Sequence, residues 1–96
     1  LEIFQGVAMK HATTTALDQL EPLLARLRLL PGLKERSRGI FYLKSRAFLH
    51  FHEDPAGLFA DIRCMDGKDF DRLNVDAPAA REALFEKARV VLEQLS

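Results

Sequence analysis

Ninety-six residues make one domain, and a chain this short buries only about 60–65% of its unfolded surface, leaving little room for a deep catalytic cleft. With 48% apolar and 29% charged residues the composition is that of a globular protein, which excludes disorder. Fourteen basic side chains balance fourteen acidic ones, so no global field draws the chain to nucleic acid or anionic lipid.

No stretch reaches the roughly 18 apolar residues needed to span a bilayer, and no membrane partner is expected. The single cysteine, Cys64, cannot form an intrachain disulfide and suits a reducing, cytoplasmic compartment. Its expected place is as a small buried apolar residue. Leu1-Glu-Ile-Phe-Gln-Gly6 resembles what an engineered protease site leaves behind. Residues 1–8 are therefore set aside as an expression remnant, and residues 9–96, opening at Met9, are taken as one α+β domain.

Leu17, Leu20, Leu24 and Leu27 recur at three- and four-residue spacing, with Leu23 and Leu30 widening the stripe, and predict an amphipathic helix. Thr15 with Asp18, or Asp18 with Glu21, offers a capping box. Pro22 in a helix interior would cost about 3 kcal/mol, which favours a start near Asp18 or a kink at the proline. Pro31-Gly32 ends the helix, and Leu33 to Arg38 reads as a short polar connection.

Three apolar, aromatic-rich runs follow between Gly39 and Arg63. Lys44-Ser45 predicts a two-residue hairpin turn that pairs Leu43 with Arg46 and Ile40 with Leu49. Asp54-Pro55-Ala56-Gly57 carries the residues a type I turn prefers, and pairs Glu53 with Leu58, Phe51 with Ala60 and Leu49 with Ile62. Strand alternation then puts Ile40, Tyr42, Ala47, Leu49, Phe51, Leu58, Ala60 and Ile62 on an apolar core face. The opposite face receives Phe41, Leu43, Phe48, His50, His52, Phe59, Asp61 and Arg63, a mixture less polar than a plain solvent face.

Asp66-Gly67 predicts a further turn, and Phe70 to Val75 a weaker fourth strand. Asp76 is placed as the cap of a last helix with Pro78 in its first turn, and Ala80, Leu84, Ala88, Val91 and Leu95 as its apolar stripe. The order is α-β-β-β-(β)-α: an antiparallel meander of three to four strands packed by N- and C-terminal helices.

Three sets of residues bear on function. His50 and His52 project from one strand face near Asp61, a donor set that suits zinc or a small active site, although no spacing fixes a third ligand. No Ser-His-Asp, Cys-His or phosphate-cradling glycine pattern is present, so no catalytic residue, cofactor or metal is assigned. Lys34, Arg36, Arg38, Lys44 and Arg46 lie in one short segment with a single acid, Glu35, and seven acids against three bases occupy residues 53–76. A neutral chain is thus polarised along its sequence.

Leu30-Pro31-Gly32 followed by Ile40-Phe41-Tyr42-Leu43-Lys44-Ser45-Arg46-Ala47-Phe48 resembles the helix–Leu-Pro-Gly–strand–turn–strand opening of the MmcQ/YjbR-like family. The TfoX N-terminal domain has a similar hairpin. The resemblance covers about a third of the chain, residues 30–63. Lys44-Ser45 stands where that family has a glycine pair, and its C-terminal Lys/His/Trp region is absent. The resemblance implies a small α+β domain, with DNA binding as the family-level expectation and no catalytic residues to carry over.

The chain is expected to act by binding and without catalysis. The first expectation is protein interaction, as a homodimer or with a protein partner, through Phe41, Phe48, His50, His52, Phe59 and Arg63, whose three phenylalanines would expose on the order of several hundred Å². The alternative is nucleic-acid binding through Lys34, Arg36, Arg38, Lys44 and Arg46, and a second alternative is the metal site or small enzyme at His50 and His52.

Overall fold

The computed structural model describes residues 10–96, so the remnant assigned to residues 1–8 and the start at Met9 lie outside them. The elements are β1 (Lys10–His11), α1 (Thr14–Leu27), β2 (Leu33–Ser37), β3 (Ile40–Leu43), β4 (Arg46–Asp54), β5 (Gly57–Arg63), β6 (Phe70–Asn74) and α2 (Pro78–Leu95). The strands form one antiparallel sheet in the order β2-β3-β4-β5-β6. Its long central strand, β4, pairs with β5 along one side, and with β3 and then β1 along the other. The α+β class and the order read from the sequence are both present. No helix among the described residues is long and apolar enough to cross a membrane.

Helix α1 starts earlier than expected. Thr13 is its cap, accepting the Ala16 amide on Oγ1 at 3.3 Å, and the helix continues unbroken past exposed Pro22. Burial explains the tolerance. Leu17, Leu20, Leu23, Leu24 and Leu27 are all buried against the sheet, each contributing about 1.5–3 kcal/mol, which outweighs the roughly 3 kcal/mol that an interior proline costs.

Residues 33–37 are a strand, not a connection. Leu33 is buried, Glu35 points toward α1 and accepts from Arg28 and from the Gly39 amide, and Lys34 and Arg36 face outward. With one apolar residue the segment gave no hydrophobic alternation. It is the charged edge strand that protects an open sheet from pairing with another chain.

The β4–β5 register is the one read from the Asp54 turn, with Leu49 opposite Ile62, Phe51 opposite Ala60 and Glu53 opposite Leu58. The β3–β4 register is not. Leu43 pairs with Arg46 as expected, but Phe41 lies opposite Leu49 and Ile40 opposite His50, leaving Phe48 as an extra residue in β4. This bulge exchanges the faces of β3. Phe41, Leu43 and Phe48 join the core, and Ile40 and Tyr42 are half-buried on the other side.

Asp76 does not cap α2, whose N-cap is Ala77 with no side-chain bond. Its carboxylate instead accepts the Leu58 amide at 2.9 Å and pins the start of β5. Gly57 at that point has φ +137°, and a Cβ there would lie 2.2 Å from Asp76 Oδ2, so the turn needs a glycine. Both helices pack on the face carrying Phe41, Phe48, Leu49, Phe51, Leu58, Ala60 and Ile62. The other face has no helix over it among the described residues.

Candidate functional site

The uncovered face is laid out in rows across the strands. One row runs Lys34 (β2), Tyr42 (β3), Ala47 (β4), Arg63 (β5) and Phe70 (β6), each residue paired with or bonded to the next. The Arg36 guanidinium carbon lies 4.6 Å from the Tyr42 ring centre, and that of Arg63 lies 4.6 Å from Phe70. Each distance is within cation–π range. Between these two cation–ring pairs stands Ala47, the smallest side chain of the row. A saddle about 10 Å across therefore separates Tyr42 from Arg63, two strand spacings apart.

At the end of this row Arg46 and Arg63 converge. The Arg46 guanidinium donates to Gly67 O at 3.0 Å, and the Arg63 guanidinium donates to the same oxygen at 2.9 Å. Arg63 also donates Nε to Ala47 O at 2.7 Å. Burial, and then the charge of Arg46, push the Arg63 pKa below its ordinary value. Lys44 sits beside them at the hairpin tip, and with Gly67, Leu43 and Leu95 the three cations line a small hollow of about 90 Å³. The nearby acid is Asp66, whose Oδ1 is taken by the Lys68 and Asp69 amides.

The distribution of partners divides the molecule. Arg26, Arg28, Arg38, Lys87 and Arg89 each pair with a carboxylate in at least one bridge that involves a helix. Among the described residues no carboxylate pairs with Lys34, Arg36, Lys44, Arg46 or Arg63. Arg38 leaves the basic set, because Asp18 and Glu21 hold it at 2.8 and 2.7 Å.

A second row carries Ile40, His50, Asp61 and Arg72, with His52 next to it opposite Phe59 and His11. Arg72 grips Asp61 through Nε to Oδ1 at 2.8 Å and through its terminal nitrogen to Oδ2 at 2.9 Å. His52 Nε2 donates to the same Oδ2 at 2.9 Å. The Arg72 contact holds the Asp61 carboxyl below the usual carboxylate range, so it is ionised. Burial, and then the neighbouring His52, lower the pKa of His50 and favour its neutral ring. The two imidazoles meet edge to face with centres 4.5 Å apart.

Of the residues expected on the interaction surface, His50, His52, Phe59 and Arg63 lie on the open face and are half-buried. Phe41 and Phe48 do not. Both are fully buried, because the bulge turns them under the helices. Tyr42, Phe70, Ala47 and Arg72 complete the face and were not singled out. Tyr42 was hidden by the unbulged register, while Phe70 and Arg72 follow from carrying the Arg63 register into β6. Cys64 is half-buried just past the end of β5, where burial raises its pKa. Comparison of the chain with protein-family models, curated proteins and solved structures finds no match.

Proposed function

We propose that the open sheet face, together with the sheet end where Arg46 meets Arg63, binds single-stranded nucleic acid. The observation that carries this reading is the convergence of Arg46 and Arg63 on one carbonyl oxygen, with Lys44 beside them and no carboxylate paired to any of the three among the described residues. Like charges held together repel, and a phosphate between them relieves that repulsion while accepting from both guanidinium forks. Lys34 and Arg36 extend the cationic track to the opposite edge of the sheet.

Tyr42 and Phe70 supply rings, each with a guanidinium carbon 4.6 Å from its centre, on either side of the Ala47 saddle. An antiparallel sheet with half-exposed aromatics presents stacking platforms to unpaired bases, and such stacking contributes about 1–3 kcal/mol per base. Among the described residues no helix projects from this face to enter a duplex groove, which favours single strands. Self-association through this face needs three exposed phenylalanines, and the burial of Phe41 and Phe48 removes most of that apolar area.

Fluorescence anisotropy with labelled oligonucleotides tests the reading. Single-stranded RNA or DNA should bind better than duplex, and log affinity should fall against log salt with a slope of about −2 to −3.5 for three to five phosphate contacts. K44Q and R46Q should each flatten that slope by about 0.7. Absence of binding at low salt, or a slope indifferent to both changes, would overturn it. A dimer whose formation masks Tyr42 and Phe70 would return the face to protein interaction.

A further inference from the structure

His50, His52 and Asp61 each offer one ligand atom, and these atoms lie within 4.8 Å of one another. Sheet geometry makes the trio. His50 and His52 are two apart on β4 and share a face, and Asp61 is the direct cross-strand partner of His50. None of the three donors sits on a loop, so the pleat and the β4–β5 ladder hold their spacing. Two imidazoles and a carboxylate suit a first-row dication of zinc type, whereas a hard ion such as magnesium prefers an all-oxygen shell.

The distances are close to those of a coordination shell. In the tetrahedral shell that zinc prefers, two ligands ~2.1 Å from one ion are ~3.4 Å apart, about half an ångström more than the pair here. His52 Nε2 and Asp61 Oδ2 are 2.9 Å apart. His50 completes the set from the same sheet face, its ligand atom within 4.8 Å of the other two. Independently of the nucleic-acid reading, we infer that His50, His52 and Asp61 form a binding site for a zinc-type dication. The ion takes the position of the hydrogen now lying between His52 Nε2 and Asp61 Oδ2, and the His52 ring carries its proton on Nδ1 instead. The remaining coordination positions face outward, open to water or to an anionic group on a ligand.

Arg72 sets the affinity of this site. Its guanidinium orients the Asp61 carboxylate, as outer partners of metal ligands do, but it also brings a positive charge to within one carboxylate of the ion. The strand ladder already fixes Asp61, so the orienting contribution is the smaller one and the charge decides the sign. Half-exposed, Arg72 acts as a brake on metal binding.

Calorimetric titration of the whole chain with zinc tests the site, with the visible spectrum of the cobalt-loaded protein as a readout of ligand geometry and circular dichroism as the check on folding. One equivalent should bind, and magnesium should not. H50F, which keeps a ring in place, and D61N should each weaken zinc by more than about tenfold. R72Q should tighten it by about tenfold, the direction of removing a like charge near the ion. H11A should leave the affinity unchanged. Absence of zinc uptake, or uptake that survives the double change H50F/H52F, would overturn the site. Weaker binding in R72Q would overturn the role given to Arg72.

Discussion

Phe41 lies opposite Leu49, and the residue this leaves unpaired in β4 is Phe48. Because both phenylalanines are then fully buried, the bulge moves two large rings from the open face into the core. F48A should therefore destabilise the fold by about 3–5 kcal/mol, the cost of a large buried truncation with its cavity. F59A, on the half-buried open face, should cost distinctly less. Urea denaturation of the two variants decides the matter, and equal losses would contradict the face assignment.

That bulge also marks where the sequence stops being readable. The β4–β5 register follows from local chemistry, since Asp54, Pro55 and Gly57 suit only a few turn geometries and alternation carries the register outward. The tip of the β3–β4 hairpin was read correctly from Lys44-Ser45, but nothing in Phe41-Tyr42-Leu43 says which side an aromatic run prefers. The unbroken apolar runs Ile40 to Leu43 and Ala47 to Leu49 allow either phase, and the helices choose the one that buries Phe41 and Phe48. The same holds at the site. His50, His52, Phe59 and Arg63 were legible by alternation, whereas the meeting of Arg46 with Arg63 on Gly67 O depends on a loop conformation that no spacing encodes.

Lys44 and Ser45 both have positive φ, +52° and +69°, which is the backbone a two-residue hairpin needs and one that side chains disfavour by about 1–2 kcal/mol per residue. S45G relieves one of the two. It should stabilise the fold by about 0.5–1 kcal/mol, less than the full penalty because glycine also loses more entropy on folding. Thermal unfolding should show a rise of a few degrees. A fall would mean that the Ser45 side chain makes a contact worth more than the strain.

Glu21 accepts from Arg28 and Arg38, and these two guanidiniums, Arg28 first, hold its pKa at about 2, below the ordinary 4.5. A carboxylate lowered on folding contributes stability above its unfolded pKa, and that contribution disappears as protons bind. The stabilisation from Glu21 is therefore complete above pH 4.5 and lost between pH 4.5 and about 2. E21Q should be less stable than the parent at neutral pH, with the gap closing across this window. Because the group is exposed, molar salt should narrow the gap at every pH. Chemical denaturation at stepped pH reads both effects, and a gap that widens on acidification would reverse the assignment.

Ala47 is the small residue between the Arg36–Tyr42 and Arg63–Phe70 pairs, and its own carbonyl receives Arg63 Nε at 2.7 Å. A carboxylate introduced there reaches toward Arg63 and occupies the cation that the proposed phosphate would need. A47E sits on a half-buried, uncovered position of a long central strand, so its effect on stability should stay within about 1 kcal/mol. Its effect on ligand should be much larger. Single-strand affinity should fall by at least about tenfold, and the salt slope should lose about 0.7 to 1.4 for one or two phosphate contacts removed. A47S, which keeps the small volume and adds no charge, should bind as the parent does. Parent-like binding by A47E, with the fold intact by circular dichroism, would show that nucleic acid does not cross this row of the sheet.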